Sequence, residues 1–190
     1  RVLERVEEDC GIHLVRKVMT ALWASRSGLT ETEIRAFAAL SPATWAAIRY
    51  GLNDALLESG GRLTFAHDYL RIAVSDRYLA GNGELGEMGQ GAEAITLRRE
   101  AHIQLAKWFE DQFARTGLEA DTSGDGEAVI TPARAAEEIP YQWQAAGDWE
   151  ALKACLTRRE LFEAVCVNRS NVELLGYWLD LERYAGADIE

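Results

Sequence analysis

Apolar residues recur every three or four positions through residues 12–23, where Val15, Val18, Met19 and Leu22 share one face. That spacing predicts a helix with one side in a core. Gly28 follows its end, and Thr30-Glu31-Thr32-Glu33 then reads as a capping box ahead of Ile34 and Phe37. In such a box the Thr30 hydroxyl accepts from the Glu33 backbone N–H while Glu33 reaches back, so a second helix is expected there. Ser41-Pro42 marks a third, with an N-cap and a proline at the first helical position, where the missing N–H costs nothing. Trp45, Ile48, Leu52 and Leu56 stripe it. Gly60-Gly61 can supply positive φ for a hairpin turn, and Leu63-Thr64-Phe65 alternates as a half-buried strand does. A fourth helix is expected from Asp68, or just before it, to about Leu79, with Leu70, Ala73, Val74 and Tyr78 on one side. Helix, helix, helix, hairpin is a winged-helix order.

Residues 81–91 hold five of the sixteen glycines among polar partners, a composition that resists ordering and predicts a flexible connection. Beyond it, residues 95–116 predict a long helix with Leu105, Ala106, Phe109 and Phe113 on one face, and residues 118–128 a polar loop. Short helices are expected over 132–146, 149–156, 160–167 and 171–184, with a kink or break near Glu138 because Pro140 removes a backbone donor. Their short links imply antiparallel pairs resembling the first turns of an α-solenoid, although no fixed repeat period is visible. The expected fold is therefore mainly α. A winged-helix domain with a small β-hairpin wing (1–80) leads through a flexible Gly-rich linker (81–93) to an α-helical, solenoid-like domain (94–190), which can lead on into a helical repeat array.

Composition narrows the function classes. The net charge of −11 is unevenly placed: residues 1–80 carry ten Lys/Arg against ten Asp/Glu, and residues 81–190 carry ten against twenty-one. An acidic surface repels phosphate backbones and forgoes the counterion release that dominates nucleic-acid affinity. Three cysteines, Cys10, Cys155 and Cys166, have no short paired spacing, so a reducing cytoplasm is the expected location. The first ten residues carry four acidic side chains, unlike a signal peptide, and no apolar run approaches a membrane span.

Most candidate chemistry reads as structure. Gly81-Asn82-Gly83-Glu84-Leu85-Gly86 fits G-x-G-x-x-G but follows a helix end, whereas dinucleotide binding needs a strand before the glycine turn. Lys17, Lys107 and Lys153 follow Arg16, Ala106 and Leu152, so there is no Walker A motif and the chain alone is not expected to hydrolyse nucleotide. Cys10 and His13 have C-x-x-H spacing without two further ligands in sight, so no metal site is expected. Cys155 and Cys166, among Leu156, Leu161, Phe162 and Val165, read as small buried hydrophobes. His102 reads as a packed core or rim histidine. In His67-Asp68, Asp68 suits a helix N-terminus and His67 packs beside the wing as part of a buried pair. No set of acid, base and nucleophile emerges, so no catalytic residue is expected.

Phe65-Ala66-His67-Asp68, at the start of the last winged-helix-domain helix, resembles the histidine motif of STAND signalling NTPases. The likeness extends from Leu14-Val15-Arg16 through Leu22 to Glu33, Trp45, Tyr69-Leu70-Arg71 and Arg77-Tyr78-Leu79, which is similar to the winged-helix part of NACHT proteins of the nephrocystin and telomerase-associated type. His102 to Phe109, Arg134, Glu138-Ile139-Pro140-Tyr141-Gln142, Ala146-Gly147-Asp148-Trp149 and Tyr177-Trp178-Leu179 resemble the helical segment that follows it. The likeness covers nearly the whole chain, whereas the family's P-loop core has no counterpart in it. The resemblance implies a non-catalytic regulatory and scaffolding segment that holds an ADP-bound resting state. His67 would reach a β-phosphate held by a neighbouring ATPase core of the same polypeptide, and the helical part would couple to protein partners. ADP or ATP would then be cofactors of the intact protein, with none in this chain, and neither membrane nor nucleic acid is an expected partner. The alternative is a DNA-binding winged helix with a helical dimerisation or effector domain, whose groove-entering helix would span residues 43–57 and offer Arg49.

Overall fold

The computed structural model describes residues 2–81, 89–116, 130–169 and 171–185. They form ten helices and three short strands and divide into two compact units, residues 1–101 and residues 102–190 apart from a few loop positions. The division falls within one long helix, between Ala101 and His102.

In the first unit the elements run α1 (Val2–Cys10), α2 (Ile12–Ala24), β1 (Leu29–Thr30), α3 (Glu31–Ala38), α4 (Pro42–Gly51), β2 (Leu56–Ser59), β3 (Arg62–Phe65) and α5 (Asp68–Tyr78). α1 was not expected from the sequence. Gly11, at φ 91°, separates it from α2, and its Leu3 and Val6 are buried. The expected caps are present. Thr30 Oγ1 accepts from the Glu33 N–H at 3.2 Å while Glu33 Oε2 accepts from the Thr30 N–H at 2.8 Å. Ser41 Oγ accepts from the Thr44 N–H at 3.1 Å, with Pro42 in the first turn.

The strands form one antiparallel sheet in the order β1-β3-β2. Gly60 and Gly61 both take positive φ, 58° and 76°, as a two-residue hairpin turn between β2 and β3 requires. Leu63, in the central strand, pairs with Leu29 and is buried with it. Gly28 permits this pairing: at φ 83°, a Cβ there would lie 2.5 Å from the Leu63 carbonyl oxygen and 2.6 Å from Thr64 Cγ2. One expectation fails here. Leu56 does not extend the helical stripe of Trp45, Ile48 and Leu52, because α4 ends at Gly51 and Leu56 opens β2, where it is buried while the three strand residues after it are exposed. The core of this unit is built from Val15, Val18, Met19 and Leu22 of α2, Ile34 of α3, Ile48 of α4 and Val74 of α5.

The long helix α6 (Gly89–Thr116) begins six residues before the expected start, and its last part, from His102, belongs to the second unit. Of the expected flexible connection, residues 82–88 lie outside the described residues, as does the expected loop over 118–128. α7 (Pro132–Ala146), α8 (Trp149–Thr157), α9 (Arg159–Asn168) and α10 (Asn171–Tyr184) complete this unit. α7 packs on α8 and α9, α8 on α9, and α10 on α8 and α9. Asp148 caps α8 by accepting from the Ala151 N–H at 3.1 Å, after Gly147 closes α7 in the left-handed conformation. Of the kink or break expected near Glu138, no break occurs. α7 runs through Pro140, which is buried, and a side-chain hydrogen bond from Gln142 to Glu138 spans that turn. Among the described residues no helix is long and apolar enough to cross a membrane.

Candidate functional site

The segment singled out by its residue types begins where β3 hands over to α5. His67 is the N-cap of α5, in extended conformation (φ −145°, ψ 144°), and its side chain makes no capping hydrogen bond. Asp68 is the first helical residue, where the helix dipole favours a carboxylate. Both are exposed, so the expected buried pair does not form. The reason is local: the extended cap directs the His67 ring along the surface, where it stacks on Tyr69 with centroids 5.4 Å apart and planes 19° from parallel. Tyr69 is itself 67% exposed. Two residues further, the Arg71 guanidinium lies over the Trp23 ring, 5.5 Å from its centroid, and ties the start of α5 to α2.

Tyr69 also lines an open groove of about 710 Å³ between α1, the end of α4 and α5. Val2, Tyr50 and Ala73 supply its apolar lining, and Arg5 and Asp76 stand on its walls. Tyr50 is 87% exposed. Two exposed tyrosines stand on one concavity with charges of both signs around them.

The floor of this groove is held by an ion pair that the sequence pattern did not reveal. The Arg77 guanidinium grips both oxygens of Glu7, its Nε donating at 2.8 Å to Oε1 and its Nη2 to Oε2. The Tyr78 hydroxyl donates to the same carboxylate, and Glu4 lies 3.6 Å from Arg77 Nη1. This clamp joins α1 to the last turn of α5 across seventy residues of sequence, so no local periodicity announces it. Leu3, Val6 and Cys10, spaced three and four apart, were the available signal for α1. The Arg77 hydrogen bond holds the Glu7 carboxyl below the usual range, and burial pushes the Tyr78 phenol up.

Because the folded Glu7 is the stronger acid, its contribution is complete above the unfolded carboxylate value near pH 4.3 and is lost as pH falls through the folded value. Glu7→Gln is therefore expected to cost about 1–3 kcal/mol at neutral pH. It should also flatten the acid limb of the stability curve. Urea unfolding of both proteins between neutral pH and about pH 3 checks this, and parallel acid limbs would disprove the clamp.

The second unit brings together residues from across the sequence into a buried polar chain. Arg134 Nη1 donates to Glu138 Oε1 at 2.9 Å and to Glu137 Oε2 at 3.0 Å. Gln142 Nε2 donates to Glu138 Oε2 at 2.8 Å, and Gln142 Oε1 lies 2.7 Å from His102 Nδ1. With its amide nitrogen committed to Glu138, Gln142 presents Oε1 as an acceptor, so His102 carries its hydrogen on Nδ1. Arg134, Glu138, Gln142 and His102 are buried, and Arg134 also covers the face of Phe109 at 5.1 Å. The expected reading of His102 as a core histidine is what the structure shows. This chain is a scaffold that fixes α6 against α7, because a fully connected buried network specifies one arrangement.

The cysteines divide. Cys155 is buried as expected, and burial, with Glu110 nearby, pushes its thiol up to about 12, which leaves it protonated and inert. Cys166 is exposed, contrary to expectation, because α9 turns Leu161, Ala164 and Val165 inward and Cys166 outward. Cys10 closes α1 and His13 stands exposed in the first turn of α2, and no group of three or more metal-ligating side chains occurs among the described residues.

No family profile and no solved structure matches the chain. A TPR repeat-containing protein of Dictyostelium discoideum is 26% identical to it over 188 residues. That alignment takes in 96% of this chain and 10% of the relative, so the chain spans about a tenth of that protein's length.

Proposed function

We propose that the chain is a non-catalytic regulatory and scaffolding segment of a STAND NTPase. Residues 1–80 act as its winged-helix domain and hold the ADP-bound resting state, and the helices after them couple that state to protein partners. The observation that carries this reading is His67. It stands exposed at a helix start, unspent on capping, stacked on Tyr69 and beside an open groove with a second exposed tyrosine. A histidine so placed can donate to a phosphate on a neighbouring domain while the tyrosines are covered by that domain. The element order from α2 to β3 and the β1-β3-β2 sheet support the winged-helix assignment. Alignment to about a tenth of a long repeat-containing relative supports a role as one arm of a larger protein that binds other proteins.

The DNA-binding alternative finds little support in α4, the helix that would enter a major groove. Its exposed positions are Pro42, Ala43, Ala46, Ala47 and Tyr50, none of which donates to a base edge in the usual pairings. Arg49 is half-buried and lies 3.9 Å from Glu58. The chain is expected to show no measurable duplex binding at physiological salt, checked by fluorescence anisotropy. Tight, salt-sensitive binding would reverse the ranking. The full-length gene product, by contrast, is expected to purify with ADP bound. Its absence, together with a failure to bind added ADP, would remove the nucleotide reading.

A further inference from the structure

Among the described residues α10 packs on α8 and α9, and its apolar side chains divide between two faces. Tyr177 and Leu181 point inward and are buried, while Val172, Leu175 and Leu179 are 79%, 57% and 53% exposed. The exposed three are spaced three and four apart, so they line one stripe of the helix surface. Gly176 lies within it, and a Cβ there would meet nothing within 4 Å, which leaves room for an incoming backbone to approach closely.

The order of packing says what covers this stripe. α9 rests on α7 and α8, and α10 rests on α8 and α9, through links of one to two residues, so each helix is laid on those before it. In a stack of that kind an end helix that meets water carries a polar outer face, because an apolar one makes the array insoluble. Val172, Leu175 and Leu179 give this stretch of the outer face the apolar character of an internal face, ahead of the exposed Glu182 and Arg183. The aligned relative is a repeat-containing protein in which this chain accounts for a tenth of the length.

We propose that Val172, Leu175 and Leu179 form a docking seam for a helix of the same polypeptide that lies C-terminal to Tyr184 and continues the series begun by α7 to α10. This rests on the packing of the second unit and the relative's repeat character, and it does not depend on nucleotide binding.

The test is thiol accessibility. Leu175→Cys, made in a Cys10→Ser, Cys166→Ser background, is compared with Glu163→Cys on the outer face of α9, in the 190-residue chain and in the full-length gene product. In the short chain both positions should react with a maleimide at similar rates. In the full-length product Leu175→Cys should react at least about tenfold more slowly, independent of protein concentration, while Glu163→Cys is unchanged. Equal reactivity of Leu175→Cys in the two proteins would overturn the proposal. So would protection in the short chain that grows with its concentration, which would assign the seam to a second copy.

Discussion

Glu138→Ala is expected to lower the stability of the second unit by about 3–5 kcal/mol, because it leaves the Arg134 guanidinium buried without its main partner. Glu138 is fully buried, accepts from Arg134 and Gln142, and through Gln142 fixes the orientation of His102. Its loss therefore disconnects the chain at its centre. Glu138→Gln, which keeps the volume but removes the charge, should cost less, and the double replacement Arg134→Met/Glu138→Leu less than the single alanine change, since it removes both members of the buried Arg134–Glu138 pair together. Chemical denaturation followed by circular dichroism measures all three. Equal losses for the single and double variants would show that packing volume, and not the ion pair, is at stake.

His67→Ala should have its large effect only in the full-length protein. If the imidazole donates to an ADP phosphate held by a neighbouring core, removing it takes away a hydrogen bond to a charged group, about 1.5–3 kcal/mol. The resting state would lose a factor of roughly ten to a hundred against the active one, enough to raise basal output in a switch whose states differ by a few kcal/mol. In the 190-residue chain the same change removes only the stack on Tyr69 at an exposed surface, so its stability should shift by less than about 0.5 kcal/mol. Basal activity of the full-length variant beside denaturant midpoints of the short one separates the two effects.

Features set by neighbouring residues were legible in the sequence. The Thr30–Glu33 box, the Ser41-Pro42 start, the Gly60-Gly61 hairpin and the bounds of α10 all rest on chemistry within four residues, and each is found where the pattern put it. Features set by distant partners were not. α1 is held by Glu7, whose partners are seventy residues away, and in the sequence its acidic run argued only against a signal peptide. Leu56 kept helical spacing with Leu52, but the chain had already left the helix and paired with β3, where Leu56 is buried opposite Phe65. Pro140 signalled a kink or break, and the helix runs on without a break where the Glu138–Gln142 bond spans the turn and α7 packs on α8 and α9. The residues Arg134, Glu138, Gln142 and His102 stood out by type, yet only the folded chain shows them joined in one buried network. For the candidate site, residue type singled out His67 but gave the wrong sign for its burial, and it left Tyr50 unmarked.

The central claim is that the surface around His67 and Tyr69 closes onto a nucleotide-bound core. Hydrogen–deuterium exchange of the full-length protein, read on peptides covering residues 48–55 and 65–76, tests it most directly. With ADP bound, both segments should exchange more slowly than in the 190-residue chain, and the protection should fall when ADP is replaced by a non-hydrolysable ATP analogue or when His67 is alanine. Exchange at those segments that is the same in the short chain and in every nucleotide state of the full-length protein would contradict the account.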